Sequence, residues 1–150
     1  MPQFYLLMLS IQKAVLKRME DCFLAEGTEQ GFLLGSKQNL KQIDVCCQLP
    51  VKQVGTYFIT PDEEQAGQQI EDWKNKKICF CGMIHSHVCL KEDLSEADVL
   101  FAEQLYRGYS LPFLWFGIGV VKNSGVKFKF YRVEWKNEKI LIKLENYAVV

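Results

Sequence analysis

The two histidines of this 150-residue chain, His85 and His87, flank a single serine, and Ser95 and Asp98 follow shortly after them. The apolar run 78–84 that precedes the histidines is typical of a buried strand. Side chains two residues apart on a strand point to the same face. We therefore expect both imidazoles to converge on one point, where they could bind a metal ion.

Asp98 is the candidate for the third ligand of such a site. The segment 95–106 has apolar residues at helical spacing, which places Asp98 in the first turn of a helix. The loop before that helix is long enough to fold back over the end of the strand. Two imidazoles and one carboxylate are a typical ligand set for catalytic zinc, which lowers the pKa of water and polarises a carbonyl group.

The same residues also have purely structural interpretations. Ser95 and Asp98 form the S-x-x-D pattern of a helix capping box, in which the serine caps the helix and the acid has no other role. An H-x-H pattern by itself is often only part of a strand. Because the histidines and the aspartate occur together here, we favour metal binding.

Hydrolysis at a metal site needs a general base that is not itself a ligand. Glu29 stands directly before the apolar strand 31–36, so its side chain is expected beside core backbone. Glu26 is the alternative base. As a single residue, Glu29 could also be an ordinary surface carboxylate.

These residues together resemble the JAMM (MPN+) motif of zinc metallopeptidases, E…H-S/T-H-x7-S-x2-D. The stretch 29–35 reads E-Q-G-F-L-L-G, and 85–87 reads H-S-H, followed at the family spacing by the serine and the aspartate. The order of helices and strands extends the resemblance over most of residues 5–135. The resemblance implies an α/β fold over 1–150, a single cytidine-deaminase-like MPN/JAB domain with a central mixed β-sheet flanked by helices.

The resemblance also implies a role for each site residue. His85, His87 and Asp98 would bind one zinc ion, Glu29 rather than the nearby glutamate would be the base, and Ser95 would hydrogen-bond the oxyanion. Family members cleave peptide or isopeptide bonds at the tail of ubiquitin or ubiquitin-like proteins, and some bacterial members process sulfur-carrier proteins of the ubiquitin fold.

We therefore expect a deubiquitinase-like zinc metallopeptidase or isopeptidase that acts on a ubiquitin-like or sulfur-carrier protein, with E1-like and E2-like enzymes as further partners. The alternatives are a non-catalytic MPN scaffold and a fold relative associated with DNA repair. One departure from the family pattern is Val88-Cys89, where the family commonly has a proline.

The composition restricts the other function classes. Eighteen basic residues balance eighteen acidic ones, so the chain has no general attraction to nucleic acid or to an anionic membrane. The apolar run 111–121 is too short to span a bilayer and contains Pro112. The N-terminus lacks the features of an export signal, so we expect a cytoplasmic protein with reduced cysteines, Cys79 and Cys81 among them in the core.

The apolar spacing along the chain predicts three helices and several strands. The helices are predicted at 10–24 (with Ser10 as N-cap), 62–74 and 95–106. The strands are predicted at 31–36, 43–49, 54–59, 78–84, 113–121, 126–135 and 139–144.

Overall fold

The computed structural model describes residues 9–25, 27–54, 59–88 and 91–150. The helices in these residues are α1 (Lys13–Ala25), α2 (Glu63–Asn75) and α3 (Glu96–Gly108). The strands are β1 (Leu9–Ile11), β2 (Gly31–Ser36), β3 (Gln42–Ile43), β4 (Val45–Gln48), β5 (Val51–Val54), β6 (Ile59–Pro61), β7 (Cys79–His87), β8 (Leu114–Lys122), β9 (Gly125–Lys136), β10 (Lys139–Glu145) and β11 (Tyr147–Val149).

Six strands form one mixed sheet in the order β10-β9-β8-β7-β2-β4. Strands β7 and β8 run parallel, whereas the other neighbouring pairs of this sheet are antiparallel. A parallel pair needs a long crossover connection, and the chain between β7 and β8 contains α3. The prediction of an α/β fold with a central mixed sheet and helices is confirmed.

The helices cover both faces of this sheet. In α1 the buried residues Val15, Met19 and Phe23 recur every four positions and form one apolar stripe. Phe32 on β2 belongs to the core under this stripe, and its neighbour Leu33 belongs to a second core that includes residues of α2 and α3. The alternation along β2 thus buries side chains on both faces of the sheet.

The first predicted helix was wrong at its start. Ser10 is not an N-cap but lies in β1, where its amide donates to the carbonyl of Lys41 over 2.8 Å. Strand β1 lies between β3 and β11 in a small parallel sheet. Helix α1 begins only at Lys13 and ends at Ala25.

The other two helices agree with the prediction. Asp62 caps α2 by accepting the amide of Gln65 over 3.1 Å, and Ser95 caps α3. The predicted strands 126–135 and 139–144 form the hairpin β9–β10, and at its turn Asn137 and Glu138 have φ values of 55° and 64°, the left-handed backbone of a tight hairpin. No helix in the described ranges is both long and apolar enough to cross a membrane.

Two other predictions have mixed outcomes. The predicted strand at 54–59 falls mostly on residues 55–58, which lie outside the described residues, although Val54 and Ile59 at its ends pair in β5 and β6. Cys81 is buried as predicted, and burial raises the pKa of its thiol to about 12. Cys79 is exposed, against the prediction, because it is the first residue of β7.

Candidate metal centre

Strand β7 carries both histidines at its carboxyl end, on one face of the sheet. His85 and His87 are 6% and 5% exposed, and their ring centroids lie 4.8 Å apart. His85 pairs with Gly31 on β2 and with Ile118 on β8, so hydrogen-bonded neighbours on both sides hold the backbone under the imidazoles.

Asp98 reaches the histidines from the first turn of α3. Its Oδ1 lies 3.0 Å from His85 Nε2, and its Oδ2 lies 3.1 Å from His87 Nε2. The ligand atoms of the three residues all lie within 4.8 Å of one another. The structure therefore brings together the His-His-Asp group that the sequence singles out, and this group could hold a metal ion.

The capping box of α3 holds the Asp98 carboxylate in place. Ser95 Oγ accepts the Asp98 amide over 3.1 Å, and the Ser95 amide donates to Asp98 Oδ2 over 2.9 Å. Burial alone would raise the pKa of Asp98, but its contacts with His85, His87 and the Ser95 amide hold that pKa well below the usual range. The carboxylate is thus ionised, as a metal ligand must be.

The hydrogen bonds of His87 fit a bound cation. Its Nδ1 lies 3.1 Å from the carbonyl oxygen of Lys91, which can only accept, so Nδ1 carries a proton. In a neutral ring, Nε2 then presents a lone pair to the Asp98 carboxylate, an arrangement that needs a proton or a cation between them. Burial lowers the pKa of His87, yet the bonds to Asp98 and Lys91 outweigh it and leave that pKa raised.

The ring nitrogens of His85 also fit a bound cation. Its Nδ1 and Nε2 are both buried, and neither has a hydrogen-bond partner of acceptable geometry, although Asp98 Oδ1 is only 3.0 Å away. Buried polar atoms without partners are rare in proteins and call for an explanation. A metal ion would provide it: one ligand atom from each of the three residues lies within 4.8 Å of the other two, and ligand atoms about 2.0–2.2 Å from a tetrahedral zinc ion lie roughly 3.3 Å apart.

Glu29 approaches this group from the segment before β2. Its side chain is buried, and its Oε2 lies 3.9 Å from His85 Nδ1. Burial raises the pKa of Glu29, and the charges of the two histidines lower it only in part. Glu29 is therefore placed beside the group without joining it, with a carboxyl that takes up a proton more readily than a surface glutamate does.

Ser86, the residue between the histidines, fixes the segment that carries Glu29. It is fully buried, and its Oγ accepts the amide of Gln30 over 2.9 Å. The Ser86 amide donates in turn to the Gln30 carbonyl over 2.8 Å. The Gln30 side chain is also held, because its Oε1 accepts from Cys22 Sγ over 2.8 Å. Sequence reasoning missed this positioning role, since it used Ser86 only as part of a pattern.

We expect Ser86→Ala to lower the free energy of unfolding by about 1–3 kcal/mol, because the Gln30 amide loses its side-chain acceptor. Ser36→Ala is the matched control: Ser36 is buried at the other end of β2, where its hydroxyl donates to the Gln42 carbonyl over 2.6 Å. In Ser86→Ala, amide hydrogen exchange at Gln30 should accelerate by more than the loss of global stability accounts for. In Ser36→Ala it should not. Equal exchange at Gln30 in both variants would contradict this role.

A cavity of about 590 Å³ lies over the group. Glu29, Ser95 and the three metal-capable residues line it together with apolar side chains: Ile59, Pro61, Met83, Ala97 and Phe101. A substrate could therefore reach the polar residues while its own apolar atoms contact this wall. The alternative base Glu26 and the cysteine at position 89 lie outside the described residues.

No family model and no curated protein matches the sequence. The fold itself occurs among solved structures. The solution structure of protein DSY2949 from Desulfitobacterium hafniense matches with a TM-score of 0.72 at 15% sequence identity, over 95% of this chain and 93% of that chain. At this identity the likeness concerns the fold alone, which this chain therefore shares over nearly its whole length.

Proposed function

We propose that the protein is a zinc-dependent metallopeptidase or isopeptidase of the JAMM type, which cleaves at the C-terminal tail of a ubiquitin-like protein. One observation carries this proposal: Glu29 and Ser95 border the same cavity as His85, His87 and Asp98. A site that only stored a metal ion would need neither a buried acid beside the ligands nor a cavity for a substrate.

Zinc is the metal that we propose for this ligand set. Two imidazole nitrogens and one carboxylate oxygen would hold the ion, and this is a ligand set of catalytic zinc sites. Zinc supplies a Lewis acid that polarises a carbonyl group and makes water acidic near neutral pH. The bond between His87 Nδ1 and the Lys91 carbonyl orients the ring with Nε2 toward the ligand group, as hydrogen bonds to the second nitrogen of zinc-binding histidines do.

Glu29 moves the proton in this proposal. Its carboxylate takes a proton from the attacking water and then gives it to the nitrogen of the leaving amine, so one carboxyl group acts as base and as acid. The raised pKa suits both steps, since a general acid-base group works best with a pKa nearer the working pH.

Ser95 stabilises the charge that develops on the substrate. Its Oγ already accepts the Asp98 amide, which fixes the oxygen at the edge of the cavity. The hydroxyl hydrogen can then donate to the scissile carbonyl oxygen as that oxygen becomes negative. A donor fixed before the reaction stabilises a developing oxyanion without the cost of reorganisation.

The test is a cleavage assay with three substrates of one ubiquitin-like protein, preferably one encoded by a neighbouring gene. Its tail would carry a peptide extension, an isopeptide-linked lysine or a single cysteine, and mass spectrometry would detect the released tail. We expect one zinc ion per chain by elemental analysis, and cleavage that a chelator stops and added zinc restores. His87→Ala should lose both zinc and cleavage.

The pattern of cleavage also separates the alternatives. Cleavage of the isopeptide indicates deconjugation, whereas cleavage of the cysteine substrate alone indicates processing of a sulfur carrier. Binding of the ubiquitin-like protein by zinc-loaded protein without any cleavage supports a scaffold instead. A protein that stays free of zinc when zinc is supplied would overturn the proposal.

A further inference from the structure

The loop between the metal-capable histidines and α3 contains a residue that contacts His87 directly. His87 Nδ1–H donates a hydrogen bond to the backbone carbonyl oxygen of Lys91 over 3.1 Å. The position of a backbone carbonyl depends on how firmly its own segment is held. The residues after Lys91 therefore matter for the orientation of the imidazole.

Glu92, the next residue, is bound by two lysines that are remote in sequence. Its Oε1 lies 2.9 Å from Lys122 Nζ at the end of β8 and 3.0 Å from Lys127 Nζ on β9. Hydrogen bonds from these two lysines lower the pKa of Glu92 to about 2, so the carboxylate is charged at any physiological pH. One carboxylate thus joins the loop to both strands of the β8–β9 hairpin.

Asp93 makes a third contact to the same hairpin. Its Oδ1 lies 3.3 Å from Nζ of Lys129, whose side chain is 18% exposed. Lys127 and Lys129 are two residues apart on β9 and so point to the same face of the sheet. Consecutive acidic residues on the loop therefore meet a row of lysines on the hairpin.

We propose that Glu92 and Asp93 are positioning residues for His87: their ion pairs with Lys122, Lys127 and Lys129 hold the Lys91 carbonyl that orients the imidazole. The inference rests on the metal site of the proposed function and adds a determinant that lies outside the JAMM pattern. Its consequence is that the affinity for zinc depends on ionic strength, since salt screens exposed ion pairs.

A single exposed ion pair contributes little to stability. Three pairs on two adjacent residues act together on one short segment, next to the carbonyl that contacts the ligand. Loss of a group that hydrogen-bonds to a metal ligand typically lowers metal affinity about 10–100-fold. Glu92 does not contact His87 itself but acts through the neighbouring Lys91 carbonyl. We therefore expect Glu92→Gln to weaken zinc binding by about three- to tenfold.

The experiment measures zinc affinity by competition with a chromophoric chelator, at ionic strengths of about 0.01 M and about 1 M, where the Debye length is roughly 30 Å and 3 Å. The variants are Glu92→Gln and the matched control Glu96→Gln. Glu96 lies closer in sequence than Glu92 to Asp98, and none of the ion pairs among the described residues involves it. Both substitutions remove one negative charge near the site, so Glu96→Gln reports the effect of losing a charge that has no ion-pair partner.

A charge exchange tests the specific partners. Glu92→Lys places a third positive charge against Lys122 and Lys127 and should weaken zinc binding further. Combining it with Lys122→Glu and Lys127→Glu restores opposite charges and should recover most of the affinity. The visible spectrum of the cobalt-loaded protein reports the ligand geometry, and the melting temperature of the metal-free protein monitors the fold.

The outcomes are distinct for the two proposals. Weaker zinc binding in Glu92→Gln at low salt, little change in Glu96→Gln and recovery by the charge exchange support the positioning role. Zinc binding by wild type with equal affinities in both single variants overturns this inference alone. Absence of zinc binding in wild type overturns the metal site, and the proposed function with it.

Discussion

Glu29→Gln should retain one zinc ion per chain and lose cleavage by about a hundred- to ten-thousandfold, the usual contribution of a general acid-base group. The amide keeps the size and the hydrogen-bonding oxygen of the side chain but can no longer accept and return the proton. Zinc should stay bound, because Glu29 Oε2 lies 3.9 Å from His85 and is not among the ligand atoms of the His-His-Asp group. Elemental analysis and the rate of tail release measure the two properties on the same sample.

Glu103→Gln is the control for this substitution, since Glu103 lies on α3 and does not line the cavity of the site. Its rate should match that of wild type. A Glu29→Gln variant that cleaves as fast as wild type would show that another group moves the proton. Loss of zinc together with activity would instead assign Glu29 to the ligands.

Gly82→Ala should cost about 3 kcal/mol of unfolding free energy or more, at or beyond the upper end of overpacking substitutions. A Cβ at Gly82 would collide with the backbone carbonyl oxygen of Trp115, its partner across the parallel β7–β8 pair. Backbone cannot rotate out of the way as a side chain can, so the two strands must separate. Since β7 also carries His85 and His87, zinc affinity should fall as well.

Gly67→Ala is the matched substitution, and it should raise the free energy of unfolding instead of lowering it. Gly67 lies within α2, and a Cβ there meets no atom within 4 Å. Alanine should therefore stabilise the protein by about 0.5–1 kcal/mol through its better helix propensity. Urea unfolding of both variants measures the free energy of unfolding. A value for Gly82→Ala within about 1 kcal/mol of wild type would contradict the close approach of β7 and β8.

The local parts of the site could be predicted from the sequence because they follow short-range rules. The alternation of a strand places His85 and His87 on one face. The S-x-x-D pattern of Ser95 and Asp98 specifies a capping box, and both of its hydrogen bonds are present. In each case the relevant interaction spans only a few residues.

Predictions failed where the outcome depends on which strands pair and on where each strand begins. Ser10 precedes a helical pattern and resembles an N-cap, but its amide pairs with Lys41 and draws it into β1. Cys79 shares the strand spacing of Cys81, yet it lies at the start of β7 and is exposed. Strand β11 was not predicted, because its three residues are ordered by pairing with β1 rather than by a pattern of their own.

The support of the site could not be found from the sequence for the same reason. The bonds between Ser86 and Gln30 depend on the pairing of β2 with β7, which brings together residues far apart along the chain. The carbonyl of Lys91 has no side-chain signature at all, since any residue offers the same oxygen to His87. Motifs identify the groups that could react, but the groups that orient them become visible only in the fold.

The two oxygens of the Asp98 carboxylate have different partners, and this affects how a mutation of Asp98 is interpreted. Its Oδ2 accepts the Ser95 amide and so closes the capping box, while its Oδ1 faces His85. Asp98→Ala would therefore remove two things at once, the acceptor that closes the capping box of α3 and the carboxylate that could bind the metal. An inactive alanine variant would not show which of the two losses caused the inactivity. Asp98→Asn separates them, because asparagine retains an oxygen that can accept the Ser95 amide but offers the metal no negative charge.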